Sequence, residues 1–305
     1  MSQLRILDQV PSRELMTSGH LACPGCAAPL AMRLVLKALG PKTIVVMPAS
    51  CFTIIAGPWP QSSLQVPLYH TAFETGAALA SGVRAALDMK GDRETTVLVW
   101  AGDGGTFDIG LQALSGAAER NENFLYCCYD NEAYMNTGTQ RSGSTPATAR
   151  TTTTTRGKRE NPKDMPRIME AHGIPYVAST SAVYPDDVYD KLVKARGLKG
   201  LRYVHMSTPC PSGWGFDPKD SVRLGQLAVD AGLVVLYEVE GGAFRLTGRS
   251  KTLAKRASRK PVAEYLAGQA RFKGISADDA AGVQAWVDRR WAELVARDAA
   301  GAAAA

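Results

Sequence analysis

The chain has 305 residues, 45% of them hydrophobic, and a formal net charge of +6 from 35 basic and 29 acidic side chains. This length and apolar content suit one large α/β domain or two smaller ones. The charge excess is mild and no helix-turn-helix or RNP-like pattern accompanies it, so we expect no nucleic-acid binding. No apolar run reaches the roughly 20 residues that span a bilayer, and the N-terminal residues lack the pattern of a signal peptide, so we expect no membrane association.

Six cysteines stand in this chain. In the cytoplasm, where the pattern above places the protein, thiols stay reduced. We therefore expect buried thiols or metal ligands rather than disulfides.

Apolar runs of strand character alternate with helical patterns in the first half of the chain. The periodicities predict helices over 25–40, 72–89 and 108–120, and strands over 43–48, 95–105 and 123–131. Such alternation implies the α/β class, with a mainly parallel sheet and helices on both faces. In sheets of this kind, ligands bind at the carboxyl ends of the strands.

The second half of the chain opens with a low-complexity segment, residues 144–164, which has neither helical nor strand periodicity. It predicts a loop, which is either a functional or docking segment or a solvated excursion over the surface. The alternation then resumes and predicts helices over 164–173 and 184–197, strands over 174–179 and 201–207, a helix running into a strand over 227–240, and a final helix over roughly 276–297.

A glycine-rich segment, AGDGGTFDIG over 101–110, follows a predicted buried strand. Backbone N–H groups of glycines can approach phosphate oxygens closely, and the N-terminus of a following helix favours anions. Asp103 offers the hard oxygen ligand that Mg²⁺ prefers. The next strand ends at Asn131, and the intervening stretch accommodates one helix and one strand, which can return the chain beside the first segment. Taken alone, the glycines would more often form a βα turn with Asp103 as a helix cap.

The two segments together resemble the thiamine diphosphate (ThDP) motif, in which an aspartate, an asparagine and a backbone carbonyl two residues later bind the Mg²⁺ that holds the diphosphate. By position, the resemblance assigns these three roles to Asp103, Asn131 and the carbonyl of Ala133. The other cofactor-binding residues that we predict are Gly102, Gly104, Gly105, Asn136 and Thr137.

The cysteines need a separate explanation, because ThDP chemistry requires none. Two form a CPGC pair and two follow predicted strands, so loops on one side of the sheet could gather Cys23, Cys26, Cys51 and Cys210. Four thiolates suit Zn²⁺ or a [4Fe–4S] cluster, and one close pair with two single cysteines mildly favours the cluster. Four unrelated buried thiols remain an alternative. The other two, Cys127 and Cys128, lie within a predicted strand and would face opposite sides of the sheet as core thiols.

Five segments carry a wider resemblance: GHLACPGCAAPLAMR, HTAFETGAALASG, the stretch from AGDGG to TQRSG, KDMPRIMEAHGIPYVAS and TPCPSGW. Over roughly residues 15–270 the chain resembles the β subunits of multisubunit 2-oxoacid:acceptor oxidoreductases, above all those of pyruvate synthase. The resemblance implies a domain over 1–270 that binds ThDP, Mg²⁺ and one [4Fe–4S] cluster, followed by a C-terminal helix and tail over 271–305. It implies that the CPGC pair and two later cysteines hold the cluster, and that Asn136 lies near the substrate carbonyl.

The implied activity is oxidative decarboxylation of a 2-oxo acid, with electrons leaving through the cluster. Pyruvate is the default substrate, while branched-chain, aryl and oxalate substrates share the scaffold. Coenzyme A is the usual acyl acceptor, and the final electron acceptor, ferredoxin or NAD(P), belongs to other subunits. The implied partners are an α-type subunit and γ- or δ-type subunits.

The glutamate that activates the aminopyrimidine ring of ThDP is an open question in the sequence. Glu74 is the candidate in this chain, and it could equally be a carboxylate placed at a helix N-terminus. The resemblance instead places the activating glutamate on the α-type subunit.

Two other functions compete with this hypothesis. One is a non-oxidative ThDP decarboxylase or synthase with structural cysteines. The other is a non-enzymatic iron–sulfur or zinc subunit in which the glycine-rich segment is only a turn.

Overall fold

Eight strands form one sheet in the computed structural model, which describes residues 10–256 and 259–303. The strands are β1 Thr43–Pro48, β2 Leu68–Thr71, β3 Thr96–Gly102, β4 Leu125–Asp130, β5 Tyr176–Ser181, β6 Arg202–Ser207, β7 Tyr237–Glu240 and β8 Ala243–Leu246. Their order across the sheet is β2-β1-β3-β4-β6-β5-β7-β8. Pairing is parallel from β2 to β5, whereas β7 is antiparallel to β5 and to β8. The predicted α/β class and mainly parallel sheet are confirmed, and the β7–β8 hairpin at one edge was not predicted.

Helices connect and cover these strands. They are α1 Ala27–Leu39, α2 Cys51–Ala56, α3 Gly76–Met89, α4 Leu111–Glu119, α5 Met165–Glu170, α6 Pro185–Gly197, α7 Pro211–Trp214, α8 Ser221–Ala231, α9 Gly248–Arg256, α10 Val262–Ala267 and α11 Ala277–Ala303. Every strand and helix predicted from the pattern has a counterpart at nearby bounds. The short helices α2, α7, α9 and α10 were not predicted, since runs of four to nine residues show little periodicity.

The core has a layer on each face of the sheet. Cys127 packs in one layer with Trp100 and Tyr129, and Cys128 packs in the other with Val99. The prediction that the two neighbouring thiols face opposite sides is therefore confirmed, because successive side chains of a strand alternate between faces.

The long helix α11 packs against both the sheet and a third apolar cluster. Leu294 joins the core layer that contains Cys128, while Val283 and Val287 pack with Trp214 and Leu224. The proposed division of the chain at residue 270 stays a prediction, since shared packing does not by itself define a domain boundary.

The predicted loop over 144–164 contains no helix or strand, yet much of it is packed into the protein. Thr145, Ala149 and Lys158 are buried. The loop folds back on itself, with Thr148 N donating to Lys158 O at 2.7 Å and Lys158 N donating to Ala149 O at 3.0 Å. The loop is therefore anchored by a few buried residues, while nine of its 21 residues are exposed.

Within the described residues, no helix combines the length and the apolar character that crossing a membrane requires.

Candidate cofactor site

Four neighbouring strands of the parallel sheet end at one place. Cys51 follows β1, Asp103 follows β3, Asn131 follows β4, and Cys210 lies three residues after β6. Because β1, β3, β4 and β6 are consecutive across the sheet, these residues share one edge, as expected for a ligand site in an α/β fold.

The segment after β3 is a helical turn rather than the glycine loop that the sequence predicts. Gly104–Ile109 form a π-helical turn that leads into α4, and Gly110 N donates to Gly105 O at 3.0 Å. Such turns are rare and frequently occur at functional sites. A Cβ atom at Gly104 would lie 2.6 Å from the Tyr134 ring, so only glycine fits there.

Asp103 is almost completely buried at the start of this turn. Burial, and then the nearby Asp130 carboxylate, raise its pKa well above the usual range. Three hydrogen bonds oppose this effect, the first from Ser142 Oγ, which donates to Asp103 Oδ2 at 2.5 Å, and the others from the backbone of Asp103 and Asn131. A bound cation would stabilise the ionised carboxylate and reverse the shift.

The side-chain amide of Asn131 faces Asp103. The amide atom directed at the site lies 3.0 Å from Asp103 Oδ1 and 2.9 Å from the carbonyl oxygen of Ala133. With the amide oxygen in this position, the oxygens of Asn131, Asp103 and Ala133 converge on one point. With the amide rotated by 180°, its nitrogen instead donates hydrogen bonds to Asp103 Oδ1 and Ala133 O. Adjacent ligands of octahedral Mg²⁺ lie about 2.9 Å apart, given Mg–O distances of about 2.0–2.1 Å. The three groups thus fit a Mg²⁺ ion, and the rotated amide suits the same site without a cation.

Backbone hydrogen bonding also sets Ala133 apart. The carbonyls of the three preceding residues each accept a hydrogen bond, whereas that of Ala133 accepts none from any described residue with Asn131 as placed. The donors are Thr208 N to Asp130 O at 2.7 Å, Trp214 Nε1 to Asn131 O at 2.8 Å, and Thr145 Oγ1 to Glu132 O at 2.7 Å. A carbonyl left free beside a carboxylate is a suitable metal ligand.

A cavity of about 90 Å³ opens onto these groups. All of the predicted cofactor-binding residues line it: Gly102, Asp103, Gly104, Gly105, Asn131, Ala133, Asn136 and Thr137. Further lining residues were not predicted from the sequence, among them Ser50, Phe73, Tyr129 and Tyr134. Tyr129 could have been suspected, since it is the last aromatic residue of a strand that leads into the motif. The stacking of Phe73 on Tyr134, with ring centroids 5.6 Å apart, depends on a contact that no local pattern encodes.

A second cavity, of about 290 Å³, is lined by all four predicted cysteine ligands, Cys23, Cys26, Cys51 and Cys210. Burial raises the pKa of Cys26 to about 11 and that of Cys51 to about 12, and neighbouring thiols of the group add to both shifts. Without a metal these sulfurs are therefore neutral thiols, and a bound metal cluster would stabilise them as thiolates.

Among the described residues, no group of three or more His, Cys, Asp or Glu side chains is arranged to hold a metal ion. The [4Fe–4S] cluster and the zinc alternative therefore both stay predictions for these cysteines.

The two cavities adjoin. Five residues line both of them: Cys51, Tyr129, Asn131, Met135 and Asn136. Tyr129 is buried in this shared wall, its ring stacked on Trp100 and its hydroxyl accepting a hydrogen bond from Phe52 N at 3.1 Å.

Glu74 lies on the surface, two residues before α3, and does not line either cavity. Asn136 is also exposed, but it lies at the mouth of both cavities. The catalytic roles of both residues stay predictions.

Fold and site together define a ThDP-binding enzyme domain. In agreement, the family model described as "Thiamine pyrophosphate enzyme, C-terminal TPP binding domain" matches residues 49–206. The chain belongs to the family of β subunits of 2-oxoacid:ferredoxin oxidoreductases, enzymes of oxidative decarboxylation, as its curated relatives demonstrate.

Two of these relatives are nearly full-length matches. The chain is 49% identical over 291 residues to the pyruvate synthase subunit PorB of Methanothermobacter marburgensis, covering 94% of this chain and 99% of that protein. It is 46% identical over 295 residues to the ketoisovalerate oxidoreductase subunit VorB of Pyrococcus abyssi, covering 93% and 94%. A solved 2-oxoglutarate:ferredoxin oxidoreductase from Magnetococcus marinus shares the fold, with a TM-score of 0.58 and 22% identity over 72% of this chain and 82% of that one.

Proposed function

We propose that this β subunit holds Mg²⁺–ThDP in the first cavity and a [4Fe–4S] cluster in the second. The observation that carries the proposal is the wall of five residues shared by the two cavities. When bound, ThDP supplies the electron sink for decarboxylation and the cluster accepts the released electrons one at a time.

The residues of this chain then have distinct tasks. Asp103, Asn131 and the Ala133 carbonyl would hold Mg²⁺, and Ser142 orients the Asp103 carboxylate by its hydrogen bond. Hydrogen bonds from Trp214 and other donors fix the backbone that presents these ligands. Rigid placement matters because Mg²⁺ tolerates little departure from octahedral geometry.

The shared wall would control the path from cofactor to cluster. Tyr129 and Met135 line both cavities, and their side chains would exclude water from the boundary between them. Burial and the adjacent Cys51 raise the pKa of Tyr129 well above its usual range, so its hydroxyl stays neutral. Asn136, which is exposed and lines the first cavity, would donate a hydrogen bond to the substrate carbonyl oxygen.

The substrate is a short 2-oxo acid, with pyruvate first and a branched-chain 2-oxo acid second. The names of the relatives support this order, since those with the higher identity include pyruvate synthase subunits and others are ketoisovalerate oxidoreductase subunits. Coenzyme A is the proposed acyl acceptor and ferredoxin the proposed electron acceptor, with α-type and γ- or δ-type subunits completing the complex.

All six cysteines are free thiols, which suits the reducing cytoplasm.

The exposed position of Glu74 favours the hypothesis that the activating glutamate comes from the α-type subunit. The isolated β chain would then lack full activity. Full-rate decarboxylation by the isolated chain with ThDP and Mg²⁺ would contradict this.

A panel of 2-oxo acids, assayed on the intact complex with coenzyme A and ferredoxin, tests the function. We expect ferredoxin reduction with pyruvate or 3-methyl-2-oxobutanoate and an iron-dependent absorption that dithionite bleaches. Release of an aldehyde without acceptor reduction would instead indicate a non-oxidative decarboxylase.

A further inference from the structure

A second large groove lies at the opposite end of the sheet from the cofactor site. It is bordered by residues at the starts of strands, including Lys42 before β1, Thr96 in β3, Asn123 before β4 and Arg202 in β6. Its volume is about 560 Å³, within the range of small-molecule sites. Six-residue parallel strands separate it from the cofactor edge by about 20 Å, so it belongs to neither cavity described above.

The lining of this groove is strongly basic. Its only acidic lining residue is Glu94, among the residues that the structure describes, and its cations are Lys42, Arg84, Arg93, Arg196, Lys199 and Arg202. Three of these cations already have carboxylates, since Lys42 pairs with Glu94 and both Arg84 and Arg93 pair with Asp88.

The other three cations have no carboxylate partner anywhere in the described chain. Arg196 Nη1 donates to the backbone carbonyl of Ala38 at 2.9 Å, and Lys199 is exposed. Arg196 lies in the last turn of α6, and Lys199 lies in the short segment between α6 and β6, close in sequence to Arg202. The positive charge that remains is thus concentrated on one side of the groove.

Arg202 is the most unusual of the three because it is only 4% exposed. All of its hydrogen-bond acceptors are neutral: Nε donates to Ala195 O at 3.1 Å, while Nη1 donates to Asn123 Oδ1 at 2.7 Å and to Gly200 O. Within residues 10–256 and 259–303, its Nη2 group has no acceptor. Burial lowers the Arg202 pKa to about 10. Buried charges are normally paired, so an unpaired guanidinium facing a groove indicates a missing anion.

We propose that this groove binds a small phosphorylated anion between Arg202, Arg196 and Lys199. Guanidinium N–H groups match the geometry of phosphate oxygens, and two exposed cations beside them would neutralise further charge. The site would be separate from the diphosphate site at Asp103 and independent of the proposed function. An acidic segment of another subunit would also be negatively charged, like a phosphate group. The experiment below distinguishes such a segment from a small phosphorylated ligand.

The test uses the intact complex saturated with ThDP and Mg²⁺, and inorganic phosphate as the probe. Phosphate binding is followed by equilibrium dialysis and by ³¹P line broadening at low and high salt. We expect saturable binding that weakens with salt, and that weakens about tenfold or more in the double variant Arg196→Glu, Lys199→Glu. These two residues are exposed, so the variant should fold. Arg289→Glu, at an exposed residue of α11, is the control and should bind phosphate normally.

Arg202→Met should lose binding, and Arg202→Lys should keep part of it. If Arg202→Met fails to fold, the exposed double variant decides. Equal binding by the wild type and the double variant would overturn the proposal, as would equal loss in Arg289→Glu. Dissociation of the complex on charge reversal would also overturn it, since the groove would then hold an acidic chain.

Discussion

Asp103 and Asn131 meet across the ends of two adjacent strands, with the facing carboxylate and amide atoms 3.0 Å apart. The carbonyl of Ala133 lies 2.9 Å from the same amide atom, and these three groups are the proposed Mg²⁺ ligands. This arrangement has a cost, because Asp103 carries a buried carboxylate near Asp130. Functional sites often retain such unfavourable groups at the expense of stability.

Asp103→Asn should therefore separate binding from stability. It removes a Mg²⁺ ligand and leaves the diphosphate charge without its counter-ion, so ThDP binding should be lost. It also removes a buried negative charge, so the Tm of the cofactor-free complex at pH 7 should be unchanged or higher. Titration calorimetry with Mg²⁺–ThDP and a thermal melt check both parts. Asp278→Asn, at an exposed residue of α11 that lines neither cavity, should leave cofactor binding intact.

Cys51→Ala and Cys210→Ala should each spare ThDP binding and abolish electron transfer, because each removes a proposed cluster ligand. Iron content, visible absorption and ferredoxin reduction are the measurements. Cys127→Ala is the matched control: it removes a thiol from the core and should cost stability while leaving the iron content unchanged. Full ferredoxin reduction by either ligand variant would show that the cysteine assignment is wrong.

Gly104→Ala should destabilise the π-helical turn, because the new methyl group would lie 2.6 Å from the Tyr134 ring. We expect a loss of about 1–3 kcal/mol in the free energy of unfolding and weaker ThDP binding. Gly82→Ala is a contrasting change, since a Cβ atom there meets nothing within 4 Å and the residue lies within helix α3. That variant should be stabilised by up to about 1 kcal/mol. Chemical denaturation of the two variants provides the comparison, and equal effects would refute the steric argument.

Lys158 predicts a dependence of stability on pH. Its ammonium group is buried and donates to Thr145 O at 2.6 Å, and burial lowers its pKa from 10.5 to about 8, with a further contribution from Arg141. The charged form is thus less favourable in the folded state. The penalty is complete below pH 8 and disappears as the pH rises from about 8 towards 10.5, so this residue makes stability increase over that range.

The comparison of wild type with Lys158→Met isolates the contribution of this lysine. The variant lacks the gain in stability that deprotonation of Lys158 gives the wild type. Its Tm at pH 10, relative to its Tm at pH 7.5, should therefore be lower than in the wild type. Lys251→Met, at an exposed lysine, should follow the wild-type profile. Identical profiles for Lys158→Met and wild type would contradict the assignment.

Much of this protein is determined locally. The alternation of apolar strands and amphipathic helices predicts the parallel sheet, since period and length act within ten residues or so. The glycines and Asp103, followed by Asn131, identify the diphosphate segment because parallel strands bring their carboxyl ends to one edge. The CPGC pair suggests a metal site from the sequence, although its spacing alone leaves unrelated buried thiols as an alternative.

The tertiary structure alone decided how these parts meet. The order of β1, β3, β4 and β6 determines that Cys51 and Cys210 join the CPGC pair, which no spacing in the chain encodes. The π-helical form of the turn after Asp103, the wall at Tyr129 and the unpaired charge of Arg202 also depend on contacts between distant segments. The physical reason is that local sequence determines backbone preference and the direction of side chains, whereas strand order and long-range packing determine which side chains become neighbours.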